Sequence, residues 1–197
     1  MEFADLERRF GGLDRLYGEG AAAFLLNHTA AMVVGVGGVG SWAAEALARS
    51  GVGCLTLVDM DHVAESNINR QIQALGATLG QAKIQALAER IADINPACKV
   101  YLVDDFLSAS NARTLMEDHQ SRATVSWVLD CCDQVQAKQA MAVLARRLKL
   151  PLYVAGSAGG KQQGWMVQPA DLRDCTHDPL LAKLRYQLRK QADWPKG

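Results

Sequence analysis

The chain has 197 residues, with 21 Lys and Arg balanced by 21 Asp and Glu, so its net charge is zero. Half the residues (49%) are hydrophobic and 6% are aromatic, the make-up of a single globular domain with a real core rather than of a disordered or low-complexity chain. The balanced charge excludes a globally basic nucleic-acid binder and leaves that role to local patches.

The N-terminal "MEFADLERRF" is charged and lacks the apolar core of a signal peptide. Gly20 to Ala44 carries no charged residue, but Asn27, His28, Thr29 and five glycines interrupt it. A membrane-spanning helix needs roughly 20 predominantly apolar residues, so the stretch reads as a short helix, a turn and then a buried strand, in a cytoplasmic protein.

Strand-like and helix-like runs alternate from there. "AAMVVGV" (30–36) reads as a strand and "SWAAEALARSG" (41–51) as a helix ended by Gly51. "CLTLVDMD" (54–61) is a strand ending in acids. In "GQAKIQALAERIADINP" (80–96), Ile84, Leu87, Ile91 and Ile94 recur at helical spacing, and Asn95-Pro96 stops the helix. "KVYLVDDF" (99–106) is a strand and a polar helix runs from about Ala109 to His119. "TVSWVLDCCD" (124–133) is a strand, "QAKQAMAVLARRLKL" (136–150) a helix and "PLYVAGSAGG" (151–160) a strand running into glycine. "QGWMVQ" (163–168) reads as a further strand, and a basic helix follows from about Pro179 to Lys190.

This alternation predicts an α/β, Rossmann-like, doubly wound and mostly parallel sheet with helices on both faces. The expected organisation is one domain over 1–197: an N-terminal helical arm (1–28), a nucleotide-binding core (29–160) and a C-terminal strand and basic helix (161–197). Ligands of such sheets sit beyond the carboxyl ends of the strands. Those ends carry the Gly35 loop, Asp59 to Asp61, Asp104-Asp105, Asp130 to Asp133 and the Gly156 to Gly160 loop.

Gly35-Val36-Gly37-Gly38-Val39-Gly40 matches G-x-G-x-x-G between a strand and a helix. Glycines permit positive φ and close backbone approach, and the helix N-terminus offers amides to a phosphate. Asp59 ends the next strand, where an acid takes ribose hydroxyls. The alternative is a tight strand–helix turn with no ligand.

A nicotinamide-dependent oxidoreductase is the first reading of such a loop. However, Asn67, Asn69, Arg70 and Gln71 follow Asp59 closely, and Lys83 opens the next helix. Arg70 and Lys83 suit a triphosphate, one gripping oxygens through two donors and the other as a point charge. Taken singly, Arg70 reads as a surface ion pair and Lys83 as a solvated helix residue; together, behind the glycine loop, they read as phosphate ligands. No His, Tyr or Lys stands out as a proton donor for a carbonyl substrate.

Five cysteines (Cys54, Cys98, Cys131, Cys132, Cys175) form no C-x-x-C pair, and read as free thiols in a reducing compartment.

Together, Gly35 to Gly40, "LVDMDHVAESNINRQ", Gly80 to Lys83 and "LDCCD" resemble the ubiquitin-activating-enzyme-like superfamily of adenylating enzymes. That superfamily includes the sulfur-carrier-protein adenylyltransferases of thiamine and molybdopterin synthesis. The resemblance implies ATP and Mg²⁺ as cofactors and an acyl-adenylate as intermediate. It implies that Gly38 lies against the nucleotide, Asp59 binds ribose, Ser66 to Arg70 line the phosphates and Lys83 contacts phosphate. It implies that Asp133 positions Mg²⁺, with Asp130 the alternative; Asp133 is also a candidate helix N-cap. Gln134 stands where the family often has Asn. Arg15 matches an arginine that reaches across a homodimer into the partner's ATP site, the alternative being a solvated arginine.

"RFGGLDRLYG", "PLYVAGSAGG" and "DPLLAKLRYQLRK" narrow the resemblance to the tRNA threonylcarbamoyladenosine dehydratase family. The implied reaction is ATP-dependent cyclisation of N6-threonylcarbamoyladenosine in the anticodon loop. Lys183, Arg185, Arg189 and Lys190, with Arg146, Arg147 and Lys149, then read as RNA-backbone contacts or as solvated helix faces. A sulfur-transfer or redox partner protein belongs to the same picture. Family members continue past the basic helix with a cysteine-bearing loop that Cys175 does not match. The alternatives are an adenylyltransferase of a ubiquitin-like sulfur carrier, and a nucleotide-binding module without its own turnover.

Overall fold

The computed structural model describes residues 4–191 and Trp194. Five strands form one parallel sheet: β1 (Thr29–Val34), β2 (Cys54–Val58), β3 (Lys99–Val103), β4 (Val125–Asp130) and β5 (Leu152–Val154), in the order β3-β2-β1-β4-β5. Every neighbouring pair is parallel. The order reverses between β1 and β4, so the loops leaving these two strands diverge and open a crevice at their carboxyl ends.

Helices cover both faces, as the alternation predicts. α4 (Gly40–Arg49) and α5 (Lys83–Ile94) pack on one face, where Ala44, Ala48, Ile84, Leu87 and Ile91 meet Ala31, Val33, Leu55 and Leu57. α6 (Ala112–Gln120) and α7 (Val135–Leu148) pack on the other, where Met116, Met141 and Ala145 meet Met32, Val34 and Val128. Successive residues of β1 therefore serve opposite faces, and all six are buried. Each fully buried Leu, Ile or Met contributes about 1.5–3 kcal/mol.

The chain's punctuation marks act as expected. Asn95 leaves helical geometry before Pro96, and its buried side chain donates to the carbonyls of Ala48 and Val52. Gly51, at φ +77, turns the chain after α4.

At the N-terminus α1 (Leu6–Phe10), α2 (Gly12–Tyr17) and α3 (Ala21–His28) form the helical arm. Arg9 anchors it by donating to the carbonyls of Asp93 and Ile94. α3 runs straight into β1, without the turn expected there. The helix stops because Thr29 is already extended, and its hydroxyl bonds back to the Leu25 carbonyl.

The C-terminal region departs from expectation in one respect. Residues 163–168 do not form a strand; Gly164–Met166 is a single 3₁₀ turn. Trp165 there is 80% exposed, and among the described residues the segment is not a member of the five-stranded sheet. α8 (Pro179–Arg189) does form, capped by Asp178, and buries Leu184 and Leu188 against α7. Residues 192, 193 and 195–197 of the expected 161–197 segment lie outside the described residues. No helix among the described residues is long and apolar enough to cross a membrane.

Candidate active site

The carboxyl ends of the strands surround a cleft of about 1240 Å³. The glycine turn after β1 forms its floor. Gly35 sits at φ +83, and a Cβ there would lie 3.0 Å from the Cys132 backbone. A Cβ on Gly40 would lie 1.9 Å from the Gly35 carbonyl oxygen. These two glycines are required by the protein's own packing. Gly37 and Gly38 are different: a Cβ would meet only Gln71 at 3.9 Å and Arg70 at 3.4 Å, ordinary contacts. Both line the cleft, so what their missing side chains leave open is the approach of a ligand. No side chain caps α4, whose first turn starts at this wall.

Asp59 follows β2 and is nearly buried. Its Oδ2 accepts from the Val36 amide at 2.8 Å and its Oδ1 from the Asp61 amide at 2.9 Å. Each oxygen keeps a lone pair for a further donor such as a ribose hydroxyl. Gln73, fully buried, donates to the Val36 carbonyl at 2.9 Å and holds the same loop from behind.

Arg70 and Lys83 form the next wall. Trp42, in the first turn of α4, donates through its indole to the Arg70 carbonyl at 2.9 Å. The Arg70 guanidinium donates to the Ser66 carbonyl at 2.6 Å and to Asn69 Oδ1 at 3.0 Å. Lys83 is buried, and its ammonium lies 2.7 Å from Asp61 Oδ2. Both cations line the cleft. Ser66 and Asn67 do not. Ser66 offers its carbonyl to Arg70, and Asn67 Oδ1 accepts from the Ala64 amide at 3.1 Å, closing the turn that carries Arg70.

On the opposite wall stand Asp133 and Gln134, both exposed and both facing the cleft. Gln134, not Asp133, occupies the N-cap of α7, and no side chain makes a capping bond there. Asp130 is a different group. It is fully buried and pairs at 3.0 Å with Lys138, which is also fully buried. Burial pushes the Asp130 carboxyl above the usual range, while the Lys138 ammonium and the Cys132 bonds pull it back. Asp130 is thus a framework group and Asp133 the accessible one.

Cys131 and Cys132 also line the cleft, but burial and the nearby Asp130 push their thiols up to about 11 and about 12. Such thiols stay protonated and are poor nucleophiles. All five cysteines are free.

A divalent cation fits this arrangement in one way. Among the described residues no cluster of three His, Cys, Asp or Glu forms. Mg²⁺ typically takes one or two carboxylates plus substrate phosphates and water, and Asp133 is an exposed carboxylate of the cleft that would fit such a set.

The loop after β5 closes the cleft. Gly156 has no room for a Cβ because Asp178 Oδ2 would lie 2.3 Å away. Asp178 accepts from the Ser157 amide and from the Leu181 amide, both at 3.0 Å, and pairs with Lys161, so it ties this loop to the start of α8. On α8, Lys183 and Arg189 are exposed, Lys190 lies over the Tyr186 ring, and Arg185 is turned to the carbonyls of Leu172 and Cys175. Arg185 is therefore a structural member of the basic cluster. Arg15 is exposed on α2 and does not line this cleft.

Sequence reasoning missed Gln73, Asp178 and Lys138. Lys138 did leave a signal: Met141, Ala142 and Ala145 follow it at three, four and seven residues, placing it on the buried face of α7.

The ThiF family matches residues 16–192. The tRNA threonylcarbamoyladenosine dehydratase of Escherichia coli is 48% identical over 92% of this chain and 66% of its own length. That of Haemophilus influenzae is 44% identical over 97% of this chain and 71% of its own length. The chain thus spans about two thirds of the length of these two relatives. The crystal structure of the Escherichia coli enzyme in complex with ATP superposes with a TM-score of 0.88, at 44% identity, covering 98% of this chain and 77% of that one. The family match runs through every strand and every wall of the cleft, and the chain belongs to the ThiF family, alongside its tRNA threonylcarbamoyladenosine dehydratases.

Proposed function

We propose that this chain binds ATP in the cleft and uses it to dehydrate N6-threonylcarbamoyladenosine in the anticodon loop of tRNA. The observation that carries the reading is the convergence on one cleft of two open glycines (Gly37, Gly38), a ribose-ready carboxylate (Asp59), two cations (Arg70, Lys83) and an accessible acid (Asp133).

The nucleotide lies along the glycine turn with its ribose on Asp59. Arg70 and Lys83 hold the phosphates and offset the charge that builds up as pyrophosphate leaves. Mg²⁺, when bound, neutralises phosphate charge beside Asp133. A carboxylate oxygen of the threonyl group attacks the α-phosphorus, the bond to the β-phosphate oxygen breaks, and pyrophosphate departs. The ureido group, losing a proton, then attacks the activated carbonyl. AMP leaves with the original carboxylate oxygen, so the nucleoside loses one water overall. The protein supplies positioning and charge, and no thiol is required.

The reading extends to the assembly. The chain acts as a homodimer in which Arg15 of one subunit reaches the ATP site of the other, which accounts for its exposure outside its own cleft. The exposed Lys183 and Arg189, with the Arg146 to Lys149 end of α7, track the RNA backbone. The protein works in the cytoplasm, where a sulfur-transfer or redox protein is a further partner.

The test is mass spectrometry of nucleosides from threonylcarbamoyladenosine-bearing tRNA incubated with the chain, ATP and Mg²⁺. ATP-dependent loss of one water is expected. A chain that binds no ATP overturns the reading. ATP binding with adenylate formed instead on the C-terminal glycine of a small carrier protein replaces it by the carrier adenylyltransferase.

A further inference from the structure

Among the described residues Lys138 is the one charged side chain of the largest fully buried ones, and nothing in the reaction described so far uses it. Its ammonium has two partners, Asp130 Oδ1 at 3.0 Å and the Ala155 carbonyl at 3.0 Å. Asp130 is the last residue of β4, and Ala155 follows the last residue of β5. The next residues of both exits line the cleft: Cys131 to Gln134 on one side and Gly156 to Gly159 on the other. One buried cation therefore bridges the roots of two cleft walls, beside the backbone bond from the Ala155 amide to the Asp130 carbonyl.

The Cys131 to Gln134 segment has no regular structure and depends on few bonds. The Cys131 amide donates to the Val34 carbonyl at 2.8 Å. The Cys132 amide and thiol both donate to Asp130 Oδ1, at 3.2 and 3.1 Å. The same oxygen thus receives Lys138 and fixes the residue before Asp133. Among the described residues Asp130 Oδ2 is buried without a partner, and every bond to the carboxylate falls on Oδ1.

A fully buried ion pair adds little to stability compared with well-packed apolar residues, because desolvation offsets the attraction. Its geometry is another matter: the Ala155 amide already joins the two exits by donating to the Asp130 backbone carbonyl at 2.8 Å, and the ammonium, reaching the Asp130 carboxylate and the Ala155 carbonyl, fixes where that carboxylate stands. We infer that Lys138 is a positioning residue for the adenylation step, acting through Asp130 and Cys132 to hold Asp133 at the reacting phosphate. This inference rests on the adenylation reading above.

The test compares wild type with Lys138→Met, Asp133→Asn and the double variant. ATP affinity is measured by calorimetry, folding by thermal melting, and kcat and KM by AMP release with saturating tRNA substrate. Lys138→Met is expected to bind ATP within threefold of wild type and to lose about a hundredfold in kcat with KM for ATP little changed. Lys138→Arg, which keeps the long cation, is expected to recover to within about tenfold of wild type. The Lys138→Met/Asp133→Asn double is expected to be no slower than the slower single variant, because both act at one point. The Cys132 amide is expected to exchange with deuterium at least about tenfold faster in Lys138→Met while β4 stays protected.

If Lys138→Met does not fold, Lys138→Met/Asp130→Asn removes both charges and takes its place, with the same loss expected. A folded variant with wild-type kcat overturns the inference, as do losses that multiply in the double. A wild-type chain that binds ATP but turns over no tRNA overturns the adenylation reading and the inference with it. Wild-type turnover with unaffected Lys138 variants overturns the inference alone.

Discussion

The Lys83 ammonium lies 2.7 Å from Asp61 Oδ2, with the lysine 8% exposed and the aspartate 54% exposed. The cation is therefore held in place by a partner that water can readily replace. A phosphate entering the cleft meets an oriented ammonium whose present partner stays solvated on its own.

Replacing Lys83 by alanine is accordingly expected to weaken ATP binding by about ten- to a hundredfold, the range for one charge-assisted hydrogen bond of about 1.5–3 kcal/mol. Thermal stability is expected to move little, since an ion pair with an exposed partner contributes about 0–1 kcal/mol. Calorimetric titration with ATP, beside a melting curve, checks both. Unchanged affinity would remove Lys83 from the phosphate wall.

The four glycines of the turn are expected to divide into two classes. Gly40→Ala drives a Cβ to 1.9 Å from the Gly35 carbonyl oxygen and has to move backbone to survive. It should cost about 3 kcal/mol of stability or more. Gly38→Ala brings its Cβ to 3.4 Å from Arg70 Cγ, an ordinary contact with a flexible side chain. That variant should melt close to wild type and bind ATP at least about tenfold more weakly, because the methyl occupies the face the nucleotide approaches. Equal melting of the two variants would contradict the packing role of Gly40, and full ATP affinity in Gly38→Ala would contradict the ligand role of Gly38.

That division was not legible in the sequence, where Gly35, Gly37, Gly38 and Gly40 look alike. It depends on how near the Cys132 backbone and the Gly35 carbonyl come, and only the packed sheet sets those distances. The sheet itself was legible. Strands β1 and β2 are buried on both faces, which favours the mainly apolar runs that mark them, with Thr29 and Thr56 as their polar members. The segment around Trp165 looked equally strand-like, but a strand needs a partner edge, and here it makes one 3₁₀ turn instead. Arg70 and Lys83 stood out in the sequence by their company and do line the cleft, while Ser66 and Asn67 hold the turn beneath Arg70 rather than line it. Lys138 escaped because a lysine in a helix is solvated by default. Only its place on the Met141–Ala145 face says otherwise.

His119 gives the fold a pH dependence whose sign follows from its partners. The ring is fully buried on α6, with Nε2 3.1 Å from the Trp127 carbonyl and Nδ1 3.2 Å from the Thr56 hydroxyl. A carbonyl only accepts, so Nε2 carries the proton and Nδ1 accepts from Thr56. Burial lowers the imidazole pKa to about 4, the Trp127 bond opposing this and the Arg122 charge adding to it. The folded state therefore favours the neutral ring, whereas the unfolded chain takes up a proton near the ordinary value of 6.5. Stability from this group is complete above about pH 6.5 and declines as the pH falls toward 4, because the unfolded state binds the extra proton across that window. The gap, at about 1.36 kcal/mol per pH unit, amounts to about 3 kcal/mol. Urea midpoints of wild type are expected to drop steadily between pH 7 and pH 4.5. In His119→Gln, whose amide can both donate to Trp127 and accept from Thr56 without titrating, that part of the slope should vanish. A wild-type midpoint that stays level over this range would mean that the ring titrates freely and is not locked between β2 and β4, the two strands whose ends carry Asp59 and Asp130.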